Sequence, residues 1–206
     1  MKRSIQLLII VAMILGYNLG AKAQEKQWEH SLFVSSGVFM TIDLEDTFVG
    51  KGVTMKAGYG INRYFTEYVS VMSGVVWHKD MENLFVAVEG GSSDWFEFID
   101  IPLILQAHLN DDVADNKWLL GIGPVFSFCT KNDEYAFDDG EAHPSSGLNK
   151  IKNFNFGLMP MIAYETKRLR IGIEGNIGLR NVKLLHGELS GEKRLHNICA
   201  MFGVRF

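Results

Sequence analysis

LRIGIEGNIGL, residues 169–179, is a stretch in which large apolar residues return at nearly every second position. One face of the extended chain carries Leu169, Ile171, Ile173, Ile177 and Leu179, and the other carries Arg170, Gly172, Glu174, Asn176 and Gly178. A repeat of two residues predicts a β-strand with one apolar and one polar face, because an amphipathic helix repeats every 3.6 residues.

The cost of burying charge predicts which face points outward. A Lys or Arg that faces lipid near the middle of a bilayer costs roughly 2 to 4 kcal/mol. If this strand crosses a membrane, Arg170 and Glu174 must therefore point into a barrel. The strands around Asp100 and Lys56 show the same pattern, with an apolar outer face and a polar inner face. This arrangement is the reverse of a water-soluble barrel and predicts a transmembrane one.

Eight segments of the chain carry this alternation, each close to the ~9 to 11 residues that a tilted membrane strand needs. The predicted strands cover residues 29–39, 51–62, 68–78, 96–109, 117–128, 153–164, 168–180 and 194–206. An even number of strands suits a closed barrel with both termini on one side. The predicted fold class is all-β, an eight-stranded antiparallel up-and-down transmembrane β-barrel.

The connections between these strands are alternately long and short. The short ones are residues 63–67, 110–116 and 165–167, and the long ones are 40–50, 79–95, 129–152 and 181–193. Bacterial outer-membrane barrels have short periplasmic turns and long extracellular loops. We therefore expect both termini in the periplasm and the long loops outside the cell.

The N-terminus has the pattern of an export signal. Two basic residues precede an apolar stretch at 5–15, and the small-residue sequence AKA follows at 21–23. The apolar stretch is shorter than the roughly 20 residues of a membrane-spanning helix. We predict a signal peptide at residues 1–23 and a barrel domain at 24–206.

The composition excludes a nucleic-acid-binding surface. The chain has 20 Lys and Arg against 24 Asp and Glu, a formal net charge of −4, and three of the basic residues belong to the predicted signal. A basic patch is the electrostatic footprint of nucleic-acid binding, so no nucleic-acid partner is expected.

The inward charges predict what fills the barrel. Lys56, Asp100 and Glu174 are placed in its middle or upper part, and Arg170 and Arg205 lower down. An eight-stranded barrel is just wide enough to be filled by its own side chains, which argues against a general porin. We predict that these charges form a paired network that plugs the lumen. A gated ion path and a ligand contact are the alternatives.

Four motifs resemble the PorT-like family of outer-membrane barrels. They are FIDIPLILQAHL at 98–109, GIGPVFSF at 121–128, LRIGIEGNIGLRNV at 169–182 and FGVRF at 202–206. The resemblance implies the outer membrane of a Gram-negative bacterium, a secretion-accessory role and secretion-system proteins as partners. The terminal Phe206 resembles the signal that barrel-assembly machinery recognises.

No catalytic, cofactor-binding or metal-binding motif is apparent, so a non-enzymatic role is predicted. The histidines are His30, His78, His108, His143, His186 and His196, and none has the HExxH spacing. One alternative is a lipid A hydrolase that uses His78 or His196 with a loop serine on the lipid-facing rim. A second is a soluble periplasmic barrel that binds an apolar ligand.

The predicted long loops at 79–95 and 129–152 are rich in Asp and Glu. Such runs are usually solvated surface. Divalent cations that bridge lipopolysaccharide, or a protein partner, are the alternatives. Outer-membrane lipids and lipopolysaccharide are the expected surroundings.

Overall fold

The computed structural model describes residues 28–43, 48–82, 92–110, 116–138, 141–144, 154–180, 182–186 and 189–206. The predicted signal peptide lies outside these residues. The strands are β1 (Trp28–Asp43), β2 (Phe48–Tyr64), β3 (Val69–Glu82), β4 (Ser92–Asn110), β5 (Lys117–Asp138), β6 (Glu141–Pro144), β7 (Phe154–Glu165), β8 (Leu169–Gly178), β9 (Val182–His186) and β10 (Leu189–Arg205). Within the described ranges, the structure has no helix that is long and apolar enough to span a membrane.

Eight of the strands close into a barrel. Their order is β1-β2-β3-β4-β5-β7-β8-β10, and every neighbouring pair is antiparallel. The wall closes where β10 pairs with β1, from Ser31 opposite Arg205 to Asp43 opposite Lys193. Among the described strands, β6 pairs with β5 alone, and β9 with β10 alone. The predicted eight-stranded antiparallel barrel is confirmed.

Strand pairing continues beyond the predicted ends on the side of the predicted long loops. β5 runs past residue 128 to Asp138 and folds back as β6, and β9 forms a hairpin with the start of β10. Between β1 and β2 only residues 44–47 separate the strands. The prediction that these connections are loops throughout was therefore wrong. It followed the apolar alternation, whereas backbone pairing needs no buried face.

The facing of the strands agrees with the prediction. Ile171, Leu103 and Met55 are 57%, 47% and 46% exposed on the outer wall, whereas Lys56 and Glu174 are 2% and 3% exposed inside it. A groove on the outer wall across β10, β1, β2, β3 and β4 is lined almost entirely by apolar side chains, among them those of Val34, Tyr59 and Trp77. Apolar side chains thus coat the barrel, and buried charges lie within it.

The lumen is layered rather than polar throughout, which corrects the prediction of a polar interior. Along β1 the buried inward side chains read Glu29, Ser31, Phe33, Ser35, Phe39 and Thr41, so polar and apolar levels follow one another along the lumen. The central apolar layer consists of Phe33, Met72, Val76, Ile104, Leu119, Val125, Met159, Met161, Ala163 and Met201. The upper apolar layer consists of Phe39, Phe96, Phe98 and Leu195. Two polar clusters remain, one on either side of the central layer.

Candidate functional site: the two polar clusters of the lumen

The lower cluster lies at the end of the barrel beside the short connections, and we define it as Glu29, Glu165, Arg170, Arg205 and His108. Arg205 donates from Nε to Glu29 Oε1 at 2.8 Å and from Nη2 to Oε2 at 2.5 Å. Arg170 donates from Nε to Glu165 Oε1 at 2.6 Å. The two guanidinium groups balance the two carboxylates, and longer contacts of 3.7 and 3.8 Å link the two pairs.

Strand register brings these partners together. Glu165 ends β7 and lies directly opposite Arg170 at the start of β8, across the turn at residues 166–168. Glu29 and Arg205 meet at the seam where β1 pairs with β10. The lower cluster therefore joins a local turn to the closure of the whole barrel.

A hydrogen-bonded chain leads from this cluster into the wall. Ser70 Oγ lies 2.7 Å from His108 Nε2, and His108 Nδ1 lies 3.2 Å from Glu165 Oε2. The order hydroxyl, imidazole, carboxylate is that of a hydrolase triad. All three residues are 0% exposed, however, and the Tyr64 ring lies 5.0 Å from that of His108. In this structure the Ser70 hydroxyl is therefore enclosed, and no substrate can reach it.

The upper cluster begins with a buried ion pair. Lys56 Nζ lies 3.2 Å from Glu174 Oε1 and donates to Asn197 Oδ1 at 3.0 Å. Ser35 Oγ donates to the same Glu174 oxygen at 2.8 Å. These contacts join residues of β1, β2, β8 and β10.

In the second half of the upper cluster, the His78 ring lies between the carboxylates of Asp80 and Asp100. Its Nε2 lies 2.8 Å from Asp80 Oδ1, and its Nδ1 lies 2.9 Å from Asp100 Oδ2. A neutral imidazole has one N–H, whereas the cation has two. The cationic form therefore satisfies both contacts with ionised carboxylates. We define the upper cluster as Lys56, His78, Asp80, Asp100 and Glu174.

The predicted lumen residues thus fall into two groups. Lys56 contacts Glu174 directly. Asp100 belongs to the same cluster through His78, whose Nε2 lies 3.4 Å from the Nδ2 of Asn197, the residue that accepts from Lys56. Arg170 and Arg205 belong to the lower cluster. The central apolar layer separates the groups, so one continuous network does not form among them. The prediction of a single network was wrong, because methionine and other apolar side chains occupy the inward positions between the two groups.

Several members of the clusters were not predicted. Glu29, Asp80 and Glu165 stand near strand ends, where the sequence interpretation did not assign a face. Each nevertheless occupies an inward position of the two-residue repeat. Extending the repeat into the strand ends would have identified them.

His78 is not on the lipid-facing rim. Its side chain is 3% exposed and points into the lumen. The suggestion that His78 serves a rim hydrolase is therefore wrong, because the two-residue repeat of β3 places it on the inner face.

Phe206 closes the seam of the barrel at its lower end. Its backbone N–H donates to the carbonyl oxygen of His30 at 2.9 Å, and the N–H of His30 donates to the carbonyl oxygen of Phe206 at 3.0 Å. The rings of the two residues stack with centroids 6.0 Å apart. The Phe206 side chain remains 57% exposed on the outer wall.

No protein-family model and no curated protein matches the chain. Solved structures of similar fold include Neisserial surface protein A, 12% identical with a TM-score of 0.48, where the match covers 88% of this chain and 98% of that one. The attachment invasion locus protein Ail of Yersinia pestis is 10% identical with a TM-score of 0.40, covering 88% and 100%. The outer membrane protein OprG of Pseudomonas aeruginosa is 9% identical with a TM-score of 0.43, covering 85% and 95%.

Proposed function

We propose that the chain is an integral outer-membrane β-barrel of a Gram-negative bacterium, with a structural, adhesive or secretion-accessory role. The observation that carries the proposal is a continuous apolar band on the outer wall. It runs from Val69 to Trp77 on β3 and from Ile99 to Leu109 on β4, and the described outward residues within these spans include no Asp, Glu, Lys or Arg. These spans are about the 9 to 11 residues that a tilted strand needs to cross a bilayer.

Charged and aromatic side chains mark the upper edge of the band. Lys79 Nζ lies 3.2 Å from Glu97 Oε1 and 4.4 Å from the centre of the Trp95 ring. Aromatic and basic residues are favoured at the boundary between lipid and water. The contacts of Lys79 with Glu97 and Trp95 therefore support an upper membrane interface at the level of Trp95.

The lower edge has a similar arrangement. The Arg63 guanidinium lies 5.1 Å from the centre of the Trp28 ring and 5.9 Å from that of Phe65. Trp118 and Tyr164 pack edge to face at the same end of neighbouring strands. These residues support a second interface beside the short connections, which we assign to the periplasm.

Cell fractionation tests the membrane proposal. Sodium carbonate should leave the protein in the membrane pellet, because only detergent replaces lipid around the apolar band. Release by carbonate without detergent would favour the soluble, ligand-binding barrel instead.

Labelling of single cysteines tests the orientation. In a Cys129→Ser, Cys199→Ser background, Thr130→Cys should react with a membrane-impermeant maleimide on intact cells, and Arg168→Cys should react only after the outer membrane is opened. Both residues are exposed, at opposite ends of the barrel. The reverse pattern would place the termini outside the cell.

Export and assembly complete the proposal. Residues 1–23 act as the signal peptide, and Phe206 is the terminal residue that barrel-assembly machinery binds. The PorT-like motifs support a secretion-accessory role with secretion-system proteins as partners. Crosslinking through the short turns, followed by identification of the captured proteins, tests that role. Recovery of assembly proteins alone would leave a structural or adhesive role.

The proposal includes the absence of catalysis, and the enclosed Ser70–His108–Glu165 chain allows a direct test. A fluorophosphonate reacts with activated serines, so we expect no labelling of the folded barrel. Labelling that disappears in the Ser70→Ala variant would contradict this part of the proposal. A Ser73→Ala variant, on the outer face of the same strand, is the matched control.

A further inference from the structure

The upper cluster carries more negative than positive charge. Among its described side chains, the carboxylates of Asp80, Asp100 and Glu174 stand against the Lys56 ammonium and one imidazolium, that of His78. One negative charge is in excess even when His78 is cationic. The lower cluster, by contrast, matches two guanidinium groups with two carboxylates. A buried charge without compensation is strongly unfavourable, so the upper cluster as described is incomplete.

Oxygen atoms without partners lie at the same place. Asp80 Oδ2, Asp100 Oδ1 and Asn176 Oδ1 are buried and have no hydrogen-bond partner. Asp80 and Asn176 are 1% and 5% exposed, and both line a small cavity in the upper lumen. Ser127, Asn155, Asn197 and His78 are the other polar residues of the lining.

The cavity has room for about one sphere of the size of a water molecule. A water molecule there would donate hydrogen bonds to the oxygens but would leave the excess charge. A small cation would satisfy both needs, since hard cations prefer carboxylate and carbonyl oxygens. Among the described residues, no group of three or more His, Cys, Asp or Glu side chains is arranged to hold a metal ion. This favours a cation of single charge, held by one carboxylate and by neutral oxygen atoms.

We infer that the upper cluster binds one monovalent cation of the size of Na⁺ between the unpartnered oxygens of Asp80 and Asn176. Such a cation would compensate the excess negative charge, contact the unpartnered oxygens and fit the size of the cavity. The inference goes beyond the proposed function and does not depend on it, because the site lies inside the barrel and needs only the closed fold.

A thermal unfolding experiment on the purified barrel in a zwitterionic detergent tests the inference. NaCl replaces choline chloride stepwise at constant ionic strength, and the unfolding midpoint should rise and then saturate. A parallel measurement of ²³Na relaxation should show bound, exchanging Na⁺. Asp80→Asn should abolish both responses, because it removes the excess charge and one ligand oxygen.

Glu97→Gln is the matched control, since it neutralises a carboxylate that pairs with Lys79 on the outer wall. This variant should keep the full Na⁺ response. Equal unfolding midpoints in NaCl and choline chloride, without enhanced ²³Na relaxation, would overturn the inference in favour of an additional proton. A response to Ca²⁺ but not to Na⁺ would also overturn it. The wild-type measurements decide between these outcomes even if Asp80→Asn does not fold.

Discussion

The Arg205 guanidinium uses both of its edges inside the barrel. Nε and Nη2 donate to the two carboxylate oxygens of Glu29, and Nη1 donates to the carbonyl oxygen of Thr166. Paired donors of this kind match the geometry of a carboxylate closely. The pair matters to stability chiefly because neither charge can return to water when its partner is removed.

We predict that Arg205→Met lowers the free energy of unfolding by about 3 to 5 kcal/mol, because it leaves the buried Glu29 carboxylate without its main partner. Urea unfolding of the barrel in lipid vesicles measures the change. Lys79→Met is the control, since it breaks an ion pair on the outer wall and should cost only about 0 to 1 kcal/mol. Equal costs for the two variants would show that the lower cluster is not a structural plug.

Depth in the membrane should determine the effect of a charge on the outer wall. Ile173 lies near the middle of β8 and is 50% exposed, so Ile173→Arg should cost roughly 2 to 4 kcal/mol. Leu179 is exposed on the same side just beyond the strand end, and Leu179→Arg should cost about 0 to 1 kcal/mol. The folded fraction in vesicles, read from the heat-dependent gel shift, measures both. Similar damage from the two would contradict a bilayer around this wall.

Proline residues shape the wall at the scale of strands. The pairing of β4 with β5 is interrupted between Pro102–Val125 and Leu105–Ile122, and that of β7 with β8 between Leu158–Ile177 and Met161–Glu174. Pro124 and Pro160 lie within these interruptions and have no backbone N–H to donate. Pro102 lies within a third interruption, in the pairing of β3 with β4 between Ser73–Leu103 and Val76–Asp100. A closed barrel has no edge strand on which to place a proline, so the interruption falls within the wall.

A glycine permits the close approach of strands at one of these interruptions. A Cβ atom on Gly123 would overlap the carbonyl oxygen of Leu103 on β4, so Gly123→Ala should cost about 1 to 3 kcal/mol through overpacking. The nearest atom to a Cβ on Gly175 is the carbonyl oxygen of Asn197 at 3.4 Å, and Gly175→Ala should stay within about 0.5 kcal/mol of the wild type. Urea unfolding compares the two. A neutral Gly123→Ala would mean that β4 and β5 are free to separate there.

At the scale of the whole molecule, the described residues form a filled cylinder. The central apolar layer crosses the lumen between the two polar clusters, and its side chains are at most 7% exposed. An ion on the barrel axis would have to leave its water and pass this layer. The filled lumen agrees with the narrow interior that eight strands enclose.

We therefore predict that the purified barrel gives no stepwise ionic current of porin size in a planar lipid bilayer. The measurement should extend over the voltages at which channels of outer-membrane proteins are usually recorded. Regular current steps that scale with protein concentration would contradict the filled lumen and would favour the gated ion path.

Much of the fold follows from short-range properties of the chain. The repeat in residues 169–179 predicts a strand, and the cost of a lipid-facing charge places Glu174 inside and Ile173 outside; the structure confirms both. These properties involve one strand and its surroundings, so a single segment suffices. The alternation of connection lengths predicts only the orientation of the barrel in the membrane, which the cysteine labelling tests.

Only the closed barrel determines which partner each buried charged side chain contacts. The two-residue repeat tells which face Lys56 and Asp100 occupy, but not their height relative to residues on other strands. Register and strand tilt set that height, and they place Glu174 beside Lys56, His78 between two carboxylates, and methionines between the clusters. Glu29 reaches Arg205 for the same reason, since the first and last strands meet only when the sheet closes.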